Sequence, residues 1–501
     1  MTIWVISQLP APMEWAGLKR DMYGRGRAFA TARFSGPSSV VLVWGTSLSA
    51  TTGIYSGPAV RDITGDGTPD VCVGDNTGTL RCFNGPDGTL HWSYLTGGTI
   101  YSTPVLDDIS SFNPGMEVAF TSYDGYLYVL RGTNGTLLWS ASVGYAWNGS
   151  PRVYNIDGIP GNEVVVATQS GTYAFRGGSG ASVWSNTSVV SDAGVAIADL
   201  DGDGDIEVIV ADNFGSVYAL RGTNGSVEWV VSTGYGYGSA PAVEDVDGDG
   251  IMEIFVNFYN NYTCRINGTG SLAWCVYGYS ELSYDGRESV VIGPDINGNG
   301  TMDIFTADYY WNFAAIDGGT GSVIWSRTVT YEVHSHAPIT VGDFDMTNPG
   351  YEILFANHDG FLDIYSASNG NYLWSFSYGG SVGGCCASGY SLLADVNGDT
   401  CVELVVRGES DAPNLRIYRS SNVGSCYLSY DDPVAIKEEE ENLKAFEVAR
   451  GGIKFYGGGD LEVYSVDGVK VKEVSKPGFI RLKSGLYIVK YKGRSEKILI
   501  R

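Results

Sequence analysis

Residues 195–229 read Val-Ala-Ile-Ala-Asp-Leu-Asp-Gly-Asp-Gly-Asp-Ile-Glu-Val-Ile-Val-Ala-Asp-Asn-Phe-Gly-Ser-Val-Tyr-Ala-Leu-Arg-Gly-Thr-Asn-Gly-Ser-Val-Glu-Trp. Four short runs, 195–199, 207–211, 216–220 and 227–231, are apolar, β-branched or aromatic, and Gly, Asn or Asp bounds each. Runs of that kind are strands rather than helices. The unit recurs. Trp44, Trp92, Trp139, Trp184, Trp229, Trp274, Trp325 and Trp374 follow one another at spacings of 45 to 51 residues. A turn phrase precedes most of them, as in Gly132-Thr-Asn-Gly-Thr-Leu-Leu-Trp139 and Gly319-Thr-Gly-Ser-Val-Ile-Trp325, and a small-residue–Pro step (Ser102-Thr-Pro104, Ser150-Pro151, Ala240-Pro241) follows. Four strands per repeat at this period predict an all-β propeller.

The tryptophans are out of phase with a second repeat, a carboxylate-rich loop. Trp44 comes before the first loop, and the last loop (395–403) has no tryptophan after it. Ring closure accounts for this if the strand around 40–44 completes the last blade and leaves no open edge. Tyr427 stands where a last tryptophan would be and competes for that role. Eight blades are expected, with seven and a leftover strand pair as the alternative.

Outward from the repeat, the 501 residues include 69 glycines and 33 tyrosines, and only 17% are charged. Such a chain is built of turns and aromatic strands. A net charge of −25 speaks against nucleic acid as a partner. No run of about 18 apolar residues is present to span a membrane as a helix. Residues 441–501 hold 13 Lys+Arg and 7 Asp+Glu, against 18 and 49 in the rest. That break divides the chain into an N-terminal extension (1–35), a propeller (36–430), an acidic linker (431–443) and a small C-terminal β-sandwich (444–501).

The loops carry the most specific chemistry. Asp199, Asp201, Asp203, Asp205 and Glu207 alternate with glycines, and Asp245, Asp247, Asp249 and Glu253 repeat the pattern. Asp295, Asn297, Asn299 and Asp303 keep the oxygens with fewer charges, as do Asp62, Thr64, Asp66 and Asp70, and Asp395, Asn397, Asp399 and Glu403. Side-chain oxygens at positions 1, 3, 5 and 9 with glycine at 6 suit a hard cation that takes six to eight oxygens, which favours calcium over magnesium. The competing reading is Asx-turns whose carboxylates cap their own backbone amides. It fits the copies at 108–117, 155–163 and 343–352 best. In the loops at 199 and 245, four or five carboxylates within nine residues repel one another without a cation.

These loops resemble those of FG-GAP/VCBS-type repeat propellers, the group that includes the integrin α-subunit head. Val217-Tyr-Ala-Leu-Arg-Gly-Thr-Asn-Gly-Ser-Val-Glu-Trp229 and Leu127-Tyr-Val-Leu-Arg-Gly-Thr-Asn-Gly-Thr-Leu-Leu-Trp139 are similar to the tryptophan-docking repeat of quinoprotein-like propellers. Both groups include enzymes, scaffolds and binding proteins, so the resemblance implies a fold and leaves the activity open. Leu461-Glu-Val-Tyr-Ser-Val-Asp-Gly-Val-Lys-Val, Leu482-Lys-Ser-Gly-Leu-Tyr-Ile-Val and the terminal Lys497-Ile-Leu-Ile-Arg resemble type IX secretion sorting domains. That resemblance implies export, with surface attachment or release.

Eight cysteines are placed for pairing. Cys72 and Cys82 fall on one hairpin, Cys264 and Cys275 on another, and Cys385, Cys386, Cys401 and Cys426 in the last blade. Disulfides mean an oxidising compartment, hence an extracellular or cell-surface protein. Sequons at Asn134, Asn148, Asn186, Asn224, Asn261 and Asn267 fit a glycoprotein, although Asn-Gly-Ser/Thr also arises from turn chemistry. Asn299 also lies in a sequon and is read as a metal ligand.

Propeller geometry puts the carboxylate loops on one face and the connectors between blades on the other. The connectors carry Tyr101, Tyr145, Trp147, Tyr235, Tyr237, Tyr277 and Tyr279. Such side chains stack on sugar rings or grip a protein, and they also fill gaps between blades. No His-Glu-X-X-His or phosphate loop is present. The expected function is a calcium-binding, non-enzymatic module for adhesion, glycan binding or self-assembly, with a glycan or surface protein as partner. A polysaccharide lyase or quinoprotein dehydrogenase on the same scaffold is the alternative.

Overall fold

A computed structural model describes residues 32–48, 56–110, 115–147, 149–279, 290–308, 312–328, 339–356, 360–378, 390–399, 401–408 and 414–422, and the backbone of seven strands beyond residue 445. Two compact units emerge, one within Pro12–Asp431 and one that includes Asp432–Arg501.

The first unit is an eight-bladed propeller. Blades 1 to 7 span 59–95, 105–142, 152–186, 196–232, 242–277, 291–328 and 340–377, each a four-stranded antiparallel meander in chain order. Blade 8 takes three strands, Tyr390–Ala394, Glu403–Arg407 and Leu415–Ser420, and receives Val40–Thr46 as its outermost strand. The expected ring closure is therefore present, with Val40 opposite Ser420 and Thr46 opposite Leu415. Tyr427 lies outside the described residues.

Burial explains the strand sequences. Second strands such as Glu117–Ser122, Glu163–Thr168 and Glu253–Phe258 are buried at every residue, because a neighbouring blade covers each face. The core is accordingly a ring of interfaces between blades. Ile209, Val217 and Ala219 of blade 4, for example, pack on Val243, Ile254 and Phe258 of blade 5. Fourth strands form the rim and alternate exposure, leaving the tryptophan as their inward anchor.

Each anchor docks on the next blade. The indole Nε1 of Trp92 donates to the Gly132 carbonyl (2.6 Å), that of Trp139 to Gly177 (2.6 Å) and that of Trp184 to Gly222 (2.7 Å). Three residues further on, a glycine lies flat on the ring. Gly135 has φ +67°, and a Cβ there would stand 2.5 Å from the Trp92 ring. Gly225 has the same relation to Trp184. The Gly-Thr-Asn-Gly phrase thus supplies both the turn and a carbonyl for the indole.

Blade 8 has no such hairpin, because its third and fourth strands come from opposite ends of the chain. Trp374 of blade 7 instead donates to Asp345 (2.6 Å). Phe34, fully buried, stacks on Phe344, which stacks on Trp374. Ala32, Arg33 and Phe34 bond Asp343, Ser420 and Met346. Ala32 and Phe34, assigned from sequence to the N-terminal extension, are buried in the propeller core.

The second unit contains a three-stranded sheet (Phe446–Ala449, Gly452–Phe455, Gly478–Arg481) and a four-stranded one (Lys470–Val474, Leu461–Ser465, Gly485–Tyr491, Arg494–Ile500), both antiparallel. The first and fifth of these in chain order, 446–449 and 478–481, are strands that the sequence pattern does not mark.

Candidate metal centre

The loop between strands one and two is built alike in the blades that carry the full pattern. Both oxygens of its first carboxylate bond backbone amides. Asp199 accepts from Gly202 (2.8 Å) and Gly204 (3.0 Å), and Asp245 from Gly248 (2.7 Å) and Gly250 (2.9 Å). Asp62, Asp295 and Asp395 also wrap their loops. These glycines have φ between +74° and +95°, so the Asx-turn reading describes the backbone correctly.

The closing acid of the loop, at the ninth position in six blades and the tenth in blades 2 and 7, is a brace in all eight. One oxygen of Asp70, Glu117, Glu163, Glu207, Glu253, Asp303, Glu352 and Glu403 accepts the amide of an apolar residue near the start of the loop, at 2.7 to 3.0 Å. Burial pushes these acids up. Glu207, Glu253 and Asp303 are raised to about 7, Glu352 to about 8 and Glu403 to about 9. Burial outweighs the amide bonds in each case, and neighbouring loop carboxylates add to the rise.

Convergence is greatest in two loops. Carboxylate oxygens of Asp199, Asp201 and Asp203 lie within 4.8 Å of one another, as do those of Asp245, Asp247 and Glu253. Three hard anionic donors at that spacing can hold a metal ion. Asp205 and Asp249 fall outside these sets among the described residues, and each lies at the exposed tip of its loop.

The surroundings of the loops differ in ways that loop sequence does not show. In blade 3 the Arg176 guanidinium bonds Asp157 and Glu163, each at 2.6 Å. In blade 5 Arg265 bonds Glu253 (2.9 Å) and Asp247 (3.1 Å). In blade 1 His91 meets the second oxygen of Asp70 at 2.8 Å. Blade 6 gains a carboxylate instead. Asp317 accepts from Asn297 (2.9 Å) and Asn299, so the Asp295 loop is richer in anionic oxygen than its own residues indicate. The signal was register: Asp317 and Arg176 stand directly opposite ninth-position residues, Asp303 and Glu163. Arg265 is two residues from Asn267, which is opposite Glu253, and therefore shares its side of the strand.

On the opposite face the aromatic connectors form clusters. Tyr101 stacks on Trp147 (5.2 Å), and Tyr123 packs against Tyr101, Tyr145 and Trp147 at 5.4 to 5.7 Å. Tyr235 stacks on Tyr262 (3.8 Å), Tyr237 meets Tyr259 (4.6 Å), and Tyr262 meets Tyr277 (5.2 Å). Tyr145 and Tyr277 are 58% and 65% exposed, whereas Tyr101, Trp147, Tyr235, Tyr237 and Tyr279 are half-buried. Phe214, at the tip between strands two and three of blade 4, is 75% exposed and joins no repeat signal in the sequence.

The two predicted hairpin disulfides are present, Cys72–Cys82 and Cys264–Cys275, each between directly opposed residues. Cys401 is disulfide-bonded as well. Cys385, Cys386, Cys426 and the sequon at Asn148 lie outside the described residues. Asn134 and Asn224 are exposed turn residues whose Oδ1 accepts from the amides of Thr136 and Ser226. Asn186 accepts from Ser188, Asn267 donates to Ser271, and Asn261 adopts φ +65°. Among the described residues no helix is long and apolar enough to cross a membrane.

Family models match in two places. An FG-GAP-like repeat covers residues 199–256, and the model for outer membrane protein assembly factor BamB, a PQQ-like repeat, covers 41–200. No curated protein matches the chain. Among solved structures, BamB from Moraxella catarrhalis is similar at TM-score 0.53 and 14% identity, over 77% of this chain and 99% of that one. A europium-containing methanol dehydrogenase is similar at TM-score 0.58 and 11% identity, over 79% and 89%. A quinohemoprotein alcohol dehydrogenase from Pseudomonas putida gives 0.56 and 11%, over 83% and 81%. FG-GAP-like and PQQ-like repeats thus coexist on one eight-bladed propeller of the BamB and quinoprotein type.

Proposed function

We propose that this chain is a secreted or cell-surface propeller whose acidic loops bind calcium and whose opposite face binds a glycan or a surface protein. It acts without catalysis, in adhesion or assembly. The observation that carries the reading is the separation of chemistry between the two faces: convergent carboxylates at Asp199, Asp201 and Asp203 on one, and exposed tyrosines such as Tyr145 and Tyr277 on the other. Hard oxygen donors in short loops favour calcium. An ion there would join strand one to strand two of its blade and stabilise by binding the folded state alone. The disulfides agree with an oxidising compartment. The C-terminal unit would serve export or attachment, as its likeness to sorting domains implies.

The test is metal counting on purified protein together with thermal unfolding in calcium and in excess EGTA. Several ions per chain and a calcium-reversible fall in Tm are expected. No bound ion and no shift would sink the calcium reading. For the other face, a glycan array and a surface-protein screen should give binding that Y145A and Y277A reduce without lowering Tm. The fold shared with two alcohol-oxidising enzymes supplies a second reading, a dehydrogenase, which bound-quinone absorbance in the purified protein would favour.

A further inference from the structure

The loops of blades 4 and 5 have almost the same sequence, yet they meet different partners. In blade 4 Arg221, which stands opposite Glu207 in the strand ladder, is turned outward. Its side chain is 53% exposed and stands 3.7 Å from Glu228 on the rim. In blade 5 the corresponding place is filled from within. Arg265 is buried (7% exposed) and its Nη2 reaches Glu253 at 2.9 Å and Asp247 at 3.1 Å. Those two acids are part of the convergent set of that loop.

The same guanidinium reaches the next blade. Its Nη1 donates to the carbonyls of Gly318 and Gly319, both at 3.1 Å. Gly319 is also the carbonyl on which Trp274 docks, at 3.2 Å. One side chain therefore connects the acidic loop of blade 5 to the tryptophan dock on blade 6. Blade 3 shows the arrangement in simpler form, with Arg176 between Asp157 and Glu163.

Resting on the calcium reading above, we infer that Arg265 is the built-in counter-ion of the blade 5 loop, and that an external cation gains Asp247 and Glu253 only by displacing it. A guanidinium and a divalent ion cannot share the same two oxygens without facing each other at close range in a buried place. The blade 4 loop takes calcium first, because among the described residues no cation forms an ion pair with its carboxylates. Ion entry at blade 5 comes later and releases the grip of Arg265 on Gly318 and Gly319. The acidic ring is thus graded, with arginines setting which loops depend on calcium.

The experiment uses the full chain and two readouts, calcium ions per chain and Tm in EGTA. R265M should bind one calcium ion more than wild type after dialysis against micromolar calcium. It should melt lower than wild type in EGTA and recover with calcium. R221M should leave both readouts unchanged. D203N should lose an ion from the wild-type chain, and D247N should not. An R265M chain with the wild-type ion count, while D203N shows that blade 4 is loaded, overturns the inference and leaves the calcium reading intact. Loss of an ion from D247N also overturns it, and this arm decides if R265M does not fold. No ion in any chain overturns the inference and the calcium reading together.

Discussion

Blade 4 is cut from one continuous stretch, 196–232, whereas blade 8 is joined from the two ends of the propeller sequence. The contrast shows what the repeat phrase is for. Where strands three and four are joined by Gly-Thr-Asn-Gly, the turn receives the indole of the preceding blade, as Trp184 meets Gly222. Where no such turn exists, the preceding tryptophan finds a carboxylate, Asp345, and an aromatic stack through Phe344 to Phe34. The seam blade is therefore fastened by the strand ladder of Val40–Thr46 and the side chain of Phe34, not by a local turn.

The largest expected effect comes from breaking that fastening. Deletion of residues 1–46 removes the fourth strand of blade 8 and the Phe34 stack together, exposing the ladder edge of Leu415–Ser420. The truncated chain should lose its single sharp unfolding transition and associate at micromolar concentration, as read by circular dichroism and light scattering. Adding a peptide of residues 32–46 should restore the transition. A truncated chain that melts like wild type would mean that the seam carries no stability.

Next in size are the anchors. Trp139 is 9% exposed and bonds the Gly177 carbonyl, so W139A should cost about 3–5 kcal/mol in denaturant unfolding. Trp374 is only half-buried, and its seam role is divided between the stack and one bond. W374A should cost less, and W374F less still because it keeps a ring against Phe344. Equal losses for W139A and W374A would remove the distinction between dock and seam.

Much of this architecture is legible in the sequence, for local reasons. A period of 45 to 51 residues, turn phrases at fixed offsets and alternating apolar runs determine the blade, and the phase offset of Trp44 reveals the closure. Local signals end where the loop meets another strand. Asp317, Arg176, Arg265 and His91 each lie 12 to 21 residues beyond the loop they reach, and they act through strand register. Phe34 is not legible because it stands outside the repeat, where no periodic pattern marks a core residue. The loop pattern identifies oxygens that can gather; the facing strand determines what charge they meet.

The smallest effect sharpens the same comparison through pH. The most strongly raised carboxyls flank the seam: Glu352 of blade 7, pushed to about 8, and Glu403 of blade 8, pushed to about 9, against about 7 for Glu207 of blade 4. Each has an ordinary value of 4.5, so over the interval from 4.5 to its raised value the folded chain holds a proton that the unfolded chain has released. Stability from these groups is fully present below pH 4.5 and declines as pH rises through 7 to 9. In EGTA, Tm should therefore fall on going from pH 6 to pH 9, with the seam contributing most of the decline. E403Q cannot lose a proton and should flatten the high-pH limb more than E207Q does. Calcium should act in the opposite sense, because an ion favours the ionised carboxylate and gains affinity as protons leave. A Tm in EGTA that stays level from pH 6 to pH 9 would show that Glu403 ionises in the folded seam as readily as in the unfolded chain.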